Sequence, residues 1–158
     1  MTNTQIQSAV LDAVRQAGQL FHRLILLVGP SGSGKTRLLR DVGHSTGWPV
    51  INLNLELSKG MLELSNRKRA MKAGRLMAEI VERDGADVTL LDNLELLFEP
   101  SLMLDPLRLL QGIARDRTVV AAWNGRLTDG HLDYAEPGHP EHRRYMAKDL
   151  LIVELGNQ

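Results

Sequence analysis

Cysteine is absent from this chain of 158 residues, which excludes a disulfide framework, thiolate zinc sites and thiol catalysis. An excess of one charge is missing too, since 19 lysines and arginines stand against 19 aspartates and glutamates. Without an overall basic field there is no drive toward non-specific nucleic-acid binding, so any DNA contact is expected to be local or indirect. Two each of Phe, Tyr and Trp leave little material for base-stacking platforms. No apolar run approaches membrane-spanning length, and the polar start Met1-Thr2-Asn3-Thr4 lacks a basic segment followed by an apolar one. Neither membrane insertion nor export is indicated, and a cytoplasmic location is expected. Length and apolar content suit a single domain over residues 1–158, with residues 1–22 as a helix packed on the core.

What the chain does have is a glycine-rich run in a telling place. Leu24-Ile25-Leu26-Leu27-Val28 reads as a buried strand, and it leads into Gly29-Pro30-Ser31-Gly32-Ser33-Gly34-Lys35-Thr36, followed by Arg37-Leu38-Leu39 at the start of a helical pattern. This is the P-loop, or Walker A, pattern G-x-x-x-x-G-K-[ST]. Its glycines let the backbone curl round a phosphate with successive N–H groups pointing inward, where side chains would collide with the ligand. Lys35 supplies a point charge for the β and γ phosphates, Thr36 a hydroxyl for Mg²⁺, and the helix opening at Gly34 adds its free N–H groups. Residues 29–37 are therefore the expected ATP-binding segment.

The remaining chain alternates helices and strands. Ile6, Val10, Ala13, Val14, Ala17 and Phe21 recur at helical spacing over residues 4–20. Strands are expected at 24–28, 50–53, 88–92, 118–123 and 150–155. Helices are expected at 34–44, as a turn near 58–64, from a Ser65 cap with a stripe of Ala70, Gly74, Met77 and Val81, and from Asp105-Pro106 onward. A polar loop is expected through Gly138-His139-Pro140 to Tyr145. Such alternation implies a three-layer α/β fold with a mostly parallel five-stranded sheet and the ligand at the carboxyl ends of the strands.

The apolar run Val88-Thr89-Leu90-Leu91 ends on Asp92, where a carboxylate at a buried strand tip can hold Mg²⁺ beside Thr36, as a Walker B does. The interval from Thr36 leaves room for one more strand and helix. The pair of motifs so spaced resembles the additional-strand group of P-loop proteins, which includes AAA+, RecA-like and ABC ATPases. AAA+ ATPases usually carry glutamate directly after the aspartate to orient the attacking water; here Asn93 stands there, with Glu95 two positions on. An amide can hydrogen-bond water but cannot take its proton, so another carboxylate must act if turnover is to be fast. Glu95 is one candidate, and Glu56, just beyond strand two where RecA-like ATPases carry their base, is the other. The resemblance also makes Asn124 a candidate sensor of the γ-phosphate, although Asn124-Gly125 reads equally well as a turn pair. Asn52 and Asn54 suit turn chemistry or coupling to a partner. The exposed helix face of Arg67, Lys68, Lys72 and Arg75 is expected to be plainly solvated.

The loop GPSGSGKT, the Asp92-Asn93 variant, the strand end Trp123-Asn124-Gly125 and the tail Tyr134-Ala135-Glu136-Pro137-Gly138-His139-Pro140 together resemble the BrxF family of BREX phage-defence systems. That resemblance implies an AAA-like, ATP- and Mg²⁺-binding subunit working with other BREX defence proteins, with DNA reached through them. No AAA+ helical lid with its sensor arginine is expected after the strand at 150–155, so an assembly sharing Arg126, Arg143 or Arg144 between subunits is expected. Two other functions share the binding residues: a small nucleotide or metabolite kinase, and a nucleotide switch or scaffold that does not hydrolyse.

Overall fold

The computed structural model describes residues 2–156. Helix α1 (Asn3–Ala17) starts at a reciprocal cap in which the Thr2 hydroxyl accepts from the Gln5 N–H and the Gln5 side chain accepts from the Thr2 N–H. It buries Ile6, Val10, Ala13 and Ala17, and ends before Phe21, which is 69% exposed under the Arg115 guanidinium rather than part of the stripe. Strand β1 (Leu24–Gly29) is buried throughout and runs into the glycine-rich loop and α2 (Lys35–Thr46). The expected second strand is shorter, β2 (Val50–Asn52), because the Asn52 side chain accepts the Leu55 N–H and starts α3 (Leu53–Met61) in place of the late turn near 58–64. Helix α4 (Asn66–Glu82) is capped by Ser65, as its sequence requires, and buries Ala73, Met77, Ile80 and Val81, leaving Ala70 and Gly74 half-buried. Strand β3 (Val88–Asp92) follows, then two 3-10 turns (Glu95–Phe98 and Pro100–Leu102) and α5 (Pro106–Ile113) with Asp105 as its cap.

Among the described residues the sheet has seven strands rather than the expected five. Five are parallel in the order β2-β3-β4-β1-β7, with β7 (Leu151–Glu154) at one edge. The other two come from the stretch read as a polar loop. Strand β4 (Thr118–Thr128) does not stop at Trp123 but continues past the parallel sheet and pairs antiparallel with β5 (His131–Tyr134), which pairs with β6 (Arg143–Met146). Asp129 and Gly130 join β4 to β5, both with positive φ (50° and 76°), as a two-residue hairpin of right-twisted strands demands.

Cores lie on both faces of the parallel sheet. Helices α1 and α2 cover one with Val10, Leu38, Leu39 and Val42 against Ile25, Leu27, Val120 and Ala122. Helices α3, α4 and α5 cover the other with Leu57, Met77 and Leu110 against Leu26, Leu91 and Ala121. The second core extends onto the β4–β5–β6 arm through four of the six aromatic residues. Phe98 stacks on Tyr134 at 3.4 Å, and Trp123 meets Phe98, Tyr134 and Tyr145 edge-on. The Trp123 Nε1–H donates to the Asp133 carbonyl at 3.1 Å.

Candidate nucleotide site

The loop after β1 sits at the carboxyl edge of the parallel sheet, where open α/β sheets leave a crevice. Gly32 (φ 79°) and Gly34 (φ 98°) hold left-handed backbone that a side chain would strain, which explains why the turn needs glycine at these two places. Gly29 is the last residue of β1 and pairs across with Asn124 on β4, so loop and asparagine lie side by side. Lys35, only 6% exposed, donates to the carbonyls of Gly29 (2.7 Å) and Pro30 (2.6 Å) and to the Ser33 hydroxyl (3.2 Å). Burial pushes the Lys35 ammonium's pKa down, while the carboxylates of Asp92 and Glu95 oppose that shift.

Across from the loop, the Thr36 Oγ1–H donates to Asp92 Oδ2 at 2.6 Å, and the Asn93 N–H donates to Asp92 Oδ1 at 2.9 Å. Two hard oxygen donors, a hydroxyl and a carboxylate, thus meet at one point. That donor set fits Mg²⁺, which binds through one or two protein oxygens and completes its shell with water and phosphate.

Asn93 has φ 58°, and this left-handed turn swings the chain out of β3 and into the 3-10 turn that carries Glu95. The Glu95 carboxylate is held at both oxygens, by Asn54 Nδ2 (2.9 Å) and Asn124 Nδ2 (3.0 Å). Asn54 is itself anchored, its Oδ1 accepting the Leu96 N–H at 2.8 Å and its N–H reaching the Asn93 carbonyl at 3.0 Å. Glu95 therefore bridges the ends of β2 and β4 beside Asp92.

The structure brings Lys35, Thr36, Asp92, Glu95 and Asn124 together. It takes Glu56 elsewhere: the carboxylate lies between Arg83 (3.2 Å) and Lys59 (3.8 Å), in a groove of α3 and α4 that none of these residues lines. Pro30 and Ser31 form one wall of a cleft of about 410 Å³ whose other walls are Asn124, Gly125, Arg126, Ala135 and Glu136. Arg37 faces another hollow, of about 220 Å³, shared with Asn3, Ser33 and Gly34. Of the arginines expected to serve a neighbour, Arg143 donates to the Leu104 carbonyl at 2.7 Å, Arg144 lies 3.8 Å from the buried Asp133, and Arg126 lies 3.8 Å from Glu136. Asn124-Gly125 is not a turn pair. Gly125 is in mid-strand, where a Cβ would stand 1.8 Å from the Asp133 carbonyl oxygen. Arg67, Lys68, Lys72 and Arg75 are exposed. No described helix is long and apolar enough to cross a membrane.

The residue that sequence reasoning left undecided is Asn54. Its one signal is an asparagine set just past a short strand, and its role depends on how the Asn93 turn delivers Glu95, which spacing does not reveal.

No protein-family model matches the chain, and no curated protein sequence matches it. Among solved structures it is similar to PCH-2 of C. elegans, an AAA+ ATPase, with a TM-score of 0.53 and 19% sequence identity over 98% of this chain. The chain spans 43% of the PCH-2 chain. At that identity the likeness is one of fold: a mostly parallel α/β sheet between helical layers.

Proposed function

We propose that this chain is an ATP-binding P-loop subunit that hydrolyses ATP slowly on its own, with Glu95 as the residue that takes the proton from the attacking water. The observation that carries the reading is the convergence of Lys35, the Thr36–Asp92 contact and the Glu95–Asn124 contact at one edge of the sheet. The position of β4 between β1 and β3 supports membership of the additional-strand group, in which the phosphate strand and the Walker B strand are separated in this way.

In this reading the backbone N–H groups of residues 31–36 and the Lys35 ammonium bind the phosphates, and Lys35 turns from its loop acceptors to phosphate oxygen. Mg²⁺, held by Thr36 and Asp92, would neutralise charge on the β and γ oxygens when bound. Glu95 accepts two amide hydrogen bonds and keeps lone pairs free for a water proton, while its two amide partners fix its orientation. Asn93 holds Asp92 and Asn54 through its backbone, and its side-chain amide cannot take a proton, so the base role falls to Glu95.

The biological setting we propose is a BREX-type defence system, supported by the likeness of the glycine loop, Asp92-Asn93 and residues 134–140 to BrxF. Other defence proteins are then its partners, and DNA is reached through them. Measuring nucleotide turnover by the purified chain, alone, with DNA and with small acceptors, tests the reading. Phosphate release without an acceptor is expected. Acceptor-dependent transfer would make it a kinase, and tight binding without release would make it a switch.

A further inference from the structure

We infer that Arg126 is a phosphate-binding arginine that serves the P-loop of its own chain, with Glu136 as its alternative partner. The inference rests on the nucleotide reading above and adds to that site a residue first considered only as a donor to a neighbouring subunit.

The geometry begins at the pairing of Gly29 with Asn124. From that point β1 turns aside into the loop, while β4 runs straight on over it. Side chains alternate along a strand, and here Trp123 and Leu127 pack toward α3, α4 and α5, whereas Ala122 packs toward α1 and α2. Asn124 and Arg126 therefore share the face on which α2 and the loop lie. At about 3.3 Å per residue, Arg126 stands about 7 Å beyond Asn124 along the strand. Both residues line the same cleft as Pro30 and Ser31 of the loop.

That the arginine is available follows from its partner. Arg126 and Glu136 are 70% and 84% exposed and 3.8 Å apart, a water-screened surface pair that yields readily to a phosphate. A guanidinium presents paired N–H groups that match two phosphate oxygens. Arg143 and Arg144 are differently placed, one bonded to the Leu104 carbonyl and the other beside buried Asp133, and neither lines this cleft. The strand that carries Arg126 is firmly seated. Trp123 bonds Asp133 across the arm, its ring is packed among Phe98, Tyr134 and Tyr145, and the two strands approach at Gly125 too closely for any side chain. The backbone that carries Arg126 is thus fixed beside the loop, and its exposed side chain has only to turn from Glu136 to a phosphate.

The test compares ATP with ADP, since only ATP brings a γ-phosphate to the cleft. In Mg²⁺ buffer, Arg126→Ala is expected to weaken ATP binding about tenfold, the loss of one charged hydrogen-bonding group, and to leave ADP binding unchanged. Glu136→Gln, which frees the arginine, is expected to tighten ATP binding. Adding excess Lys35→Ala chain, which carries Arg126 but no working loop, should not restore ATP affinity to Arg126→Ala. Equal affinity of the parent and Arg126→Ala for ATP would overturn the inference, as would equal losses for ATP and ADP. Restoration by the Lys35→Ala chain would also overturn it, in favour of an arginine given to a neighbour, and unchanged or weaker ATP binding by Glu136→Gln would remove Glu136. A parent chain that binds no ATP would sink the nucleotide reading itself, and this inference with it.

Discussion

Lys35 holds its charge at a place where burial works against it, and that tension separates what the residue does for the ligand from what it does for the fold. A lysine whose folded pKa lies below its unfolded value binds its proton less readily in the native state. Its unfavourable contribution is present at neutral pH and is relieved only as pH rises toward about 10.5. Replacing it by an apolar side chain of similar length removes both the titrating group and the phosphate contact. We expect Lys35→Met to abolish ATP binding and to lose the gain in stability that the lysine gives between neutral pH and about pH 10.5; the same pH dependence of melting temperature in parent and variant over that range would refute the burial account. Glu95 and Glu56 make a second contrast. One carboxylate sits between two amides beside Asp92 and the other between Arg83 and Lys59, so only the first is in a position to handle water. Single-turnover measurements should find Glu95→Gln slowed by about 10²-fold or more with ATP still bound, and Glu56→Gln unchanged.

Among the elements, the arm of β4, β5 and β6 is the one the sequence concealed. The apolar strands β1 and β3, the Ser65 and Asp105 caps and the glycine loop could all be read directly, because each rests on local chemistry. The arm rests on contacts between distant residues. Its inward-facing Leu127, Leu132, Tyr134 and Tyr145 are separated by Arg126, Asp133 and Arg144, and the mixture resembles a solvated loop. One local signal was present, Asp129-Gly130 between Leu127 and Leu132, which is a hairpin turn flanked by alternating apolar residues. Glu95 shows the same limit within the site: its distance from Asp92 in sequence was plain, but its approach to Asn124 depends on a left-handed Asn93 that no spacing rule anticipates. The arm's weak point is Gly125. A methyl group there meets the Asp133 carbonyl, so Gly125→Ala is expected to cost toward the upper end of about 1–3 kcal/mol in urea unfolding. Hydrogen exchange should speed up in residues 126–146 before the parallel strands are affected; uniform acceleration over the whole chain would contradict a separately seated arm.

At the scale of the whole molecule, both tyrosines of the chain belong to the core that joins the arm to the parallel sheet. Burial raises the pKa of each phenol; the carboxylates of Glu95 and Glu141 add to this at Tyr134, and the hydrogen bond to Asp105 adds to it at Tyr145. An acid with a raised folded pKa supports the native state below its unfolded pKa, about 10, and that support is lost as pH climbs beyond it. Lys35 runs the opposite way but in a lower window that closes near pH 10.5, so the phenols govern the alkaline side and stability should fall above about pH 10.5. Absorbance titration should show no phenolate in the folded chain near pH 10 and a joint step only where the fold is lost; early ionisation of one ring would place it outside the core. Trp123 has a consequence of another kind. It is one of only two tryptophans, it is fully buried among aromatic rings, and its neighbour in sequence touches Glu95. With Trp48 replaced by phenylalanine, the protein would carry a single tryptophan at the seam between its glutamate and its arm, so that events at the phosphate edge could be followed by tryptophan emission alone, without an attached dye.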